Sequence, residues 1–200
     1  MNKNALFNLS YGLFILTAKN EYKDNGCVIN TVMQVTDSPL QLCIAVNKQN
    51  YTCQMLQETK KFNLSVLSEK ADFEVFKGFG FRSGTQCDKF EGVATERAAN
   101  GILYLTEQTN AYISCKITSE TDLGTHVLFI AEVENAEVLN DDASVTYAYY
   151  HKNIKPAPKP VEKKSYVCKI CGYVYEGDEL PSDFICPWCK HGADDFELKS

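Results

Sequence analysis

Nine cysteines stand among the 200 residues, and four of them fall into two C-x-x-C pairs, Cys168-Lys169-Ile170-Cys171 and Cys186-Pro187-Trp188-Cys189, with fourteen residues between the pairs. A C-x-x-C turn brings two thiolates onto one metal while nearby backbone N–H groups point at the sulfurs, and two facing turns complete a tetrahedral S4 site. Such a site suits zinc or iron. Six aromatics, Tyr166, Tyr173, Tyr175, Phe184, Trp188 and Phe196, fall in the thirty-five residues from 166 to 200. They are enough to build an apolar core around the sulfurs, which favours iron over the basic-surfaced ribbons that grip nucleic acid. The other five cysteines, Cys27, Cys43, Cys53, Cys87 and Cys115, are an odd number without scaffold-like spacing. Disulfides are not expected, so the compartment is reducing.

Residues 1–150 show no Ser/His/Asp set and no paired-carboxylate signature. Gly78-Phe79-Gly80-Phe81-Arg82-Ser83-Gly84 approximates a dinucleotide fingerprint, but Ser83 stands in its third glycine position and it follows a helical stretch. More informative is Asn47-Lys48-Gln49-Asn50-Tyr51-Thr52, just before a helical stretch. Asn, Lys and Thr at a helix entrance offer a cation, hydroxyls and free N–H groups to a phosphate. An ordinary capped turn is the other reading of the same loop.

The elements that must position these groups read mainly as strands. Tyr11–Ala18, Val28–Val35, Leu40–Val46, Phe62–Leu67, Ile102–Leu105, Ala111–Ile117 and Val127–Val138 are apolar or alternating runs bounded by Gly, Asn, Asp and Pro. About seven strands suggest a barrel. Tyr51–Lys60, with Asn50 as candidate cap, and Ala71–Phe79 read as helices. From His151 to Ser165 the texture changes to a Pro/Lys linker with prolines at 156, 158 and 160; extended, it reaches about 45 Å at ~3.1 Å per residue. Three segments are therefore expected: a barrel over 1–150, a linker over 151–165 and a metal-knuckle module over 166–200. Their charges are −6, +4 and −4, which sum to the net −6 of the chain. That acidity disfavours nucleic acid and anionic membrane surfaces. No run approaches the ~18 apolar residues of a membrane span, and Asn8 and Ser10 interrupt the apolar N-terminal stretch. Cytoplasm is the expected location.

The C-terminal module resembles a rubredoxin, carried by Tyr166-Val167-Cys168-Lys169-Ile170-Cys171-Gly172-Tyr173-Val174-Tyr175-Glu176-Gly177-Asp178, by Leu180-Pro181-Ser182-Asp183-Phe184-Ile185-Cys186-Pro187-Trp188-Cys189, and by Phe196. The resemblance implies one iron held by Cys168, Cys171, Cys186 and Cys189 and cycling by one electron. Two departures stand out. The stretch between the knuckles is short, as in the rubredoxin part of rubrerythrins, and Lys190 replaces the Gly that usually follows the second knuckle.

Residues 5–150 resemble the flavin reductase-like, FMN-binding split barrels. The carriers are Asp24-Asn25-Gly26, Asn30-Thr31-Val32-Met33-Gln34-Val35, Asn47-Lys48, Tyr51-Thr52, Phe62–Leu67, Phe79–Gly84 with Asp88-Lys89-Phe90, and Gly124-Thr125-His126 before Phe129–Val133. Ala131 stands where that family frequently has Gly. The resemblance implies that the strand at Thr31, Val32, Met33 and Gln34, with Asn30 before it, lines the isoalloxazine. It implies that Asn47, Lys48, Tyr51 and Thr52 hold the ribityl phosphate, that Phe79 and Gly80 complete the cofactor site, and that the barrel forms a homodimer. The combination resembles the high-molecular-weight rubredoxins of anaerobic bacteria, in which a flavin domain passes electrons to a fused rubredoxin serving a flavodiiron protein.

The expected fold is thus mainly β, an FMN-binding split barrel followed by a rubredoxin-like module. The expected function is electron transfer from NAD(P)H or a reductase through FMN to an Fe(Cys)4 centre and on to an acceptor such as a flavodiiron oxygen or nitric oxide reductase. Two alternatives stay open: a flavin reductase with a structural zinc ribbon, and a non-enzymatic binding barrel with a protein-docking zinc ribbon.

Overall fold

A computed structural model describes residues 1–157 and 164–199. The chain divides into two units, Met1–Pro156 and Ala157–Ser200. In the first, alternating apolar runs form β1 (Phe14–Lys19), β2 (Asp24–Ile29), β3 (Val32–Asp37) and β4 (Leu40–Asn47), followed by helix α1 (Tyr51–Thr59) and β5 (Lys61–Leu67). Helix α2 (Phe73–Gly80), the short β6 (Thr95–Arg97) and β7 (Leu103–Leu105), and the long β8 (Thr109–Asp122) and β9 (His126–Val138) complete it.

Seven of these strands make one antiparallel sheet in the order β2-β1-β5-β8-β9-β4-β3. Its two edges, β2 and β3, are consecutive in the chain and joined by Asn30 and Thr31 alone. The sheet must therefore roll until those edges meet at one corner without pairing, which is a split barrel. The expected single strand Val28–Val35 is corrected accordingly. Asn30-Thr31 is a corner, and Thr31 turns aside to bond β4, its Oγ1 donating to the Ala45 carbonyl at 2.7 Å.

The barrel interior holds Leu16, Ile44, Val46, Met55, Leu56, Phe62, Leu64 and Phe129, all fully buried, with α1 supplying two of them. A second apolar cluster lies on the outer face, where Leu13, Ile15 and Leu67 meet Val75, Phe76 and Phe79 of α2. Because β1 and β5 are buried on both faces, their outward residues include polar ones that hold a second layer. Thr17 Oγ1 donates to the Leu103 carbonyl at 2.6 Å, Asn63 Nδ2 to the Ile102 carbonyl at 2.9 Å, and Ser65 Oγ accepts from the Leu105 N–H at 2.9 Å. These bonds fasten the β6–β7 hairpin, which is in no ladder with the main sheet. Arg97 pins its far side, donating bidentately to Asp24 at 2.9 and 2.8 Å.

The helices differ in their starts. Asp72 caps α2, its Oδ1 accepting from the Val75 N–H at 3.1 Å. The expected cap of α1, Asn50, makes no side-chain cap bond; only its carbonyl accepts, from Cys53 N–H at 2.8 Å. The first positions of the expected linker lie in a helical turn. Tyr147–Tyr149 runs into a wider π-type turn, Tyr150–Ile154, because Tyr150 and Ile154 find apolar partners beside α2, with the Tyr150 and Phe76 rings 4.5 Å apart. The positions from 158 to 163 lie outside the described residues.

The second unit is a small antiparallel sheet, β11-β10-β12, built from β10 (Lys164–Cys168), β11 (Val174–Gly177) and β12 (Phe196–Lys199).

These packing differences rank two substitutions. Phe129, fully buried, should cost about 3–5 kcal/mol of stability on truncation to Ala. Arg97→Ala removes a partly exposed ion pair worth under ~1 kcal/mol. Urea unfolding of the first unit, followed by circular dichroism, should show a large midpoint shift for the first variant and a small one for the second.

Candidate functional site: a thiolate centre and an anion cleft

The two C-x-x-C turns of the second unit fold alike. After the first, Gly172 takes φ 77° and its N–H returns to the Cys168 carbonyl at 2.8 Å; after the second, Lys190 takes φ 64° and its N–H returns to the Cys186 carbonyl at 2.9 Å. The match continues in the opposite sense. Cys168 N–H reaches the Tyr173 carbonyl at 2.9 Å and Cys186 N–H the His191 carbonyl at 2.8 Å. Lys190 thus occupies the glycine position of its turn, in a left-handed conformation that costs a residue with a Cβ about 1–2 kcal/mol.

The four Sγ atoms lie within 4.8 Å of one another, with Cys168–Cys189 at 3.6 Å and Cys171–Cys186 at 3.4 Å. Metal–sulfur bonds of about 2.3 Å in a tetrahedron imply sulfur–sulfur edges of about 3.8 Å, so the cluster is of the size one metal needs. Cys168 and Cys186 are buried, while Cys171 and Cys189 are half-buried. Burial pushes the Cys186 thiol up, but N–H donors at Cys189 and Trp188 together with the neighbouring thiols outweigh it and lower it below its ordinary value, while Cys171 and Cys189 are raised. The aromatics form the remaining core: Phe184 contacts Tyr175 at 4.7 Å and Phe196 at 5.4 Å between ring centroids. Trp188, Ile185 and Ile170 stay exposed around the half-buried pair.

In the first unit a cleft of about 270 Å³ is lined by Asn25 and Cys27 of β2, by Gln49–Thr52 at the start of α1, by Gly80–Gly84 after α2, and by Lys89. Three of the expected cofactor residues, Tyr51, Thr52 and Gly80, come together here, and Phe79 lies buried in the wall behind. Thr52 is buried, its Oγ1 accepting from Asn25 Nδ2 at 2.9 Å and its hydroxyl within hydrogen-bond reach of the Cys27 thiol. Gly84 packs so tightly on Asn25 that an added Cβ would lie 1.9 Å from Asn25 Oδ1, and its carbonyl accepts from Lys23 Nζ. The loop after α2 is thereby clamped to β2.

The other expected residues lie elsewhere. Lys48 is committed to Asp122 on the β8–β9 hairpin, its Nζ 2.6 and 2.5 Å from the two carboxylate oxygens; that pairing holds the Asp122 carboxyl below its ordinary range. Asn47 turns back on its own loop, its Oδ1 accepting from Gln49 N–H at 2.9 Å. Asn30 and Thr31 form the corner, and Val32, Met33 and Gln34 lie on edge strand β3, with Met33 61% exposed. The cations at the cleft are instead Arg82 and Lys89. Both occur in the motifs that carry the flavin reductase-like resemblance, but only the fold turns Lys89 inward.

The comparisons with known proteins agree with this two-part geometry. The flavin reductase like domain family matches residues 6–158, and the rubrerythrin, rubredoxin-like domain family matches residues 166–197. The chain is 36% identical to the high molecular weight rubredoxin of Moorella thermoacetica, over 98% of this chain and 99% of that one. It is 38% identical to a ferric-chelate reductase (NAD(P)H) of Archaeoglobus fulgidus, over 76% of this chain and 89% of that one. Among solved structures, an NADH:FAD oxidoreductase of Streptomyces globisporus superposes with a TM-score of 0.67 at 21% identity, covering 78% of this chain and 91% of that one. The flavin reductase PheA2 superposes with a TM-score of 0.61 at 21% identity, covering 73% and 93%.

Two outcomes follow from the local geometry. Lys190→Gly should relieve the left-handed strain and stabilise the metal-loaded second unit by about 0.5–1 kcal/mol; fluorescence of Trp188, the one tryptophan of the chain, reads denaturant unfolding there. Gly84→Ala should destabilise the first unit by about 1–3 kcal/mol, and most of that cost should vanish when Asn25 is also shortened to Ala, as a double-mutant cycle would show.

With a rolled sheet of this order, a polar cleft against its β2 edge and a tetrathiolate module after it, the chain belongs to the flavin reductase-like family, in the form that carries a C-terminal rubredoxin-like domain, and so to the flavin-containing oxidoreductases.

Proposed function

We propose that the protein is an electron-transfer flavo-rubredoxin, taking electrons from NAD(P)H or a reductase at FMN in the first unit and passing them through an iron held by Cys168, Cys171, Cys186 and Cys189 to an acceptor protein such as a flavodiiron oxygen or nitric oxide reductase. The observation that carries this reading is the pairing, in one chain, of a polar cleft lined by Arg82, Lys89 and the start of α1 with four thiols spaced for one metal. Bound flavin accepts a two-electron hydride and releases electrons singly, whereas a tetrathiolate iron accepts one.

The chain's own groups divide the work. The start of α1, the Thr52 hydroxyl, Arg82 and Lys89 bind the phosphate, as charge and hydrogen bonds at a helix N-terminus do. Cys171 and Cys189, the half-buried ligands, face the exposed Ile170, Ile185 and Trp188, a surface on which a redox partner can dock. Edge strand β3 leaves Met33, Val35 and, on β4, Leu40 exposed. An open apolar edge of this kind supports a homodimer formed through the barrel. The absence of any disulfide among the described cysteines supports a reducing, cytoplasmic setting, and no described helix is long and apolar enough to cross a membrane.

Protein purified without oxygen from iron-replete cells should contain about one iron per chain, together with flavin. Adding NAD(P)H, alone or with a reductase, should bleach the flavin absorbance and then the iron–thiolate absorbance. Stoichiometric zinc in place of iron, after iron-replete growth, would make the module structural and end the electron-carrier reading.

A further inference from the structure

Ser114 on β8 is only 3% exposed, and its Oγ takes no hydrogen bond among the described residues. A buried hydroxyl left unpaired is costly, so its surroundings call for a partner that the chain does not supply. Ser114 lines a pocket of about 240 Å³ with Lys61, Ala99, Asn100, Glu134 and Asn135, none of which lines the cleft beside β2. The pocket crosses three neighbouring strands. Lys61 comes from β5, Ser114 from β8 and Asn135 from β9, where it faces Ser114 in register. Glu134 is the extra residue of a bulge, since Ser114 pairs with Asn135 and Cys115 with Val133; a bulge re-aims the side chain it carries.

Some of these polar groups are already committed. Asn100 Nδ2 donates to Asn63 Oδ1 at 2.7 Å, and its Oδ1 accepts from the Ile102 N–H at 3.1 Å. Asn135 Nδ2 donates to Tyr112 Oη at 3.1 Å and to Glu137 Oε1 at 3.0 Å, which leaves its Oδ1 as an acceptor. Lys61 and Glu134 are in no ion pair among the described residues. Four groups therefore remain unanswered: the Lys61 ammonium, the Ser114 hydroxyl, the Asn135 carbonyl oxygen and the Glu134 carboxylate. Lys61 and Asn100 also border a neighbouring groove with Lys19 and Glu21, but Ser114, Glu134 and Asn135 do not.

We infer that this pocket binds a small zwitterionic amino acid, its carboxylate accepting from Lys61 Nζ and Ser114 Oγ and its ammonium donating to the Glu134 carboxylate and Asn135 Oδ1. A simple anion is attracted by Lys61 but repelled by Glu134, and a simple cation meets the reverse. A molecule that carries both charges answers the whole set. Ser114 meets it by turning about its single side-chain torsion. The site is independent of the flavin and of the metal.

The test is equilibrium dialysis of radiolabelled glycine against the full chain as purified, with acetate and methylamine as competitors that each carry half of the ligand. Glycine should saturate about one site per chain with a Kd on the order of 1 mM, and each competitor should be at least about tenfold weaker. Lys61→Gln and Glu134→Gln, both at exposed positions, should each weaken glycine about two- to fivefold. Ser114→Ala should weaken it as much without lowering the thermal midpoint of the ligand-free chain, because the hydroxyl it removes is unpaired. Acetate that binds as tightly as glycine would make the pocket an anion site and overturn the inference. Glycine binding that survives all three variants would lie elsewhere and overturn it too. So would a lack of saturation at about ten times that concentration, which leaves Ser114 to a water molecule. A midpoint that falls in Ser114→Ala would show the hydroxyl already bonded within the fold and remove the ground of the inference.

Discussion

Every buried backbone polar group needs a partner, and the rolled sheet denies one to its two edges. β2 and β3 are separated by two residues in the chain yet stand at opposite ends of the strand order. The barrel closes in space without closing its ladder. What covers β2 is a set of side chains and loop atoms: Lys89 takes the Gly26 carbonyl, and the loop after α2 is held down by Lys23 and packs against Asn25. A covering made of loops leaves space that a strand would have filled. The cleft exists because that edge is answered irregularly. The other edge, β3, pairs with β4 alone and presents apolar side chains outward.

The second unit obeys a different constraint. At about forty residues or fewer a chain rarely buries enough apolar surface to fold alone, and this unit has few fully buried side chains. Two of those are the thiols of Cys168 and Cys186. A metal therefore serves as part of the core, and ligand binding and folding become one event. The matching turns at Gly172 and Lys190 show how little chain is needed: each supplies a left-handed residue, a return bond to the first cysteine's carbonyl and N–H groups aimed at sulfur. The same economy leaves Cys171 and Cys189 half-buried.

The charges of the first unit show how neighbours in sequence part in the fold. Lys48 precedes α1 by three residues and has the right chemistry for a phosphate, but it spans to Asp122 at the tip of the β8–β9 hairpin. Strand β8 runs past its expected end at Ile117 to Asp122 and carries the carboxylate to it. Lys89 comes from forty residues further along and ends beside the helix start that Lys48 adjoins in sequence.

Much was legible from residue types alone. The spacing of Cys168, Cys171, Cys186 and Cys189 determined the four-thiol cluster, because a C-x-x-C turn is local and two of them can face one another wherever the rest of the chain goes. The strand runs of β4, β5 and β9 were legible because a half-buried or fully buried strand writes its period into five to eight residues. Motif resemblance pointed to the flavin reductase-like domain. What only the tertiary structure decided were the properties that depend on closure: the break at Asn30-Thr31, the hairpin β6–β7 held by Thr17, Asn63 and Ser65, the helical turn at Tyr150–Ile154 inside a stretch that reads as linker, the pairing of Lys48 with Asp122, and the placing of Arg82 and Lys89 at the cleft. The physical reason is common to all of them. Local pattern records whether a residue is buried, but which distant group meets it there is set by how the sheet rolls, and one turn of that roll pairs a lysine with a surface carboxylate while burying another against bare carbonyls.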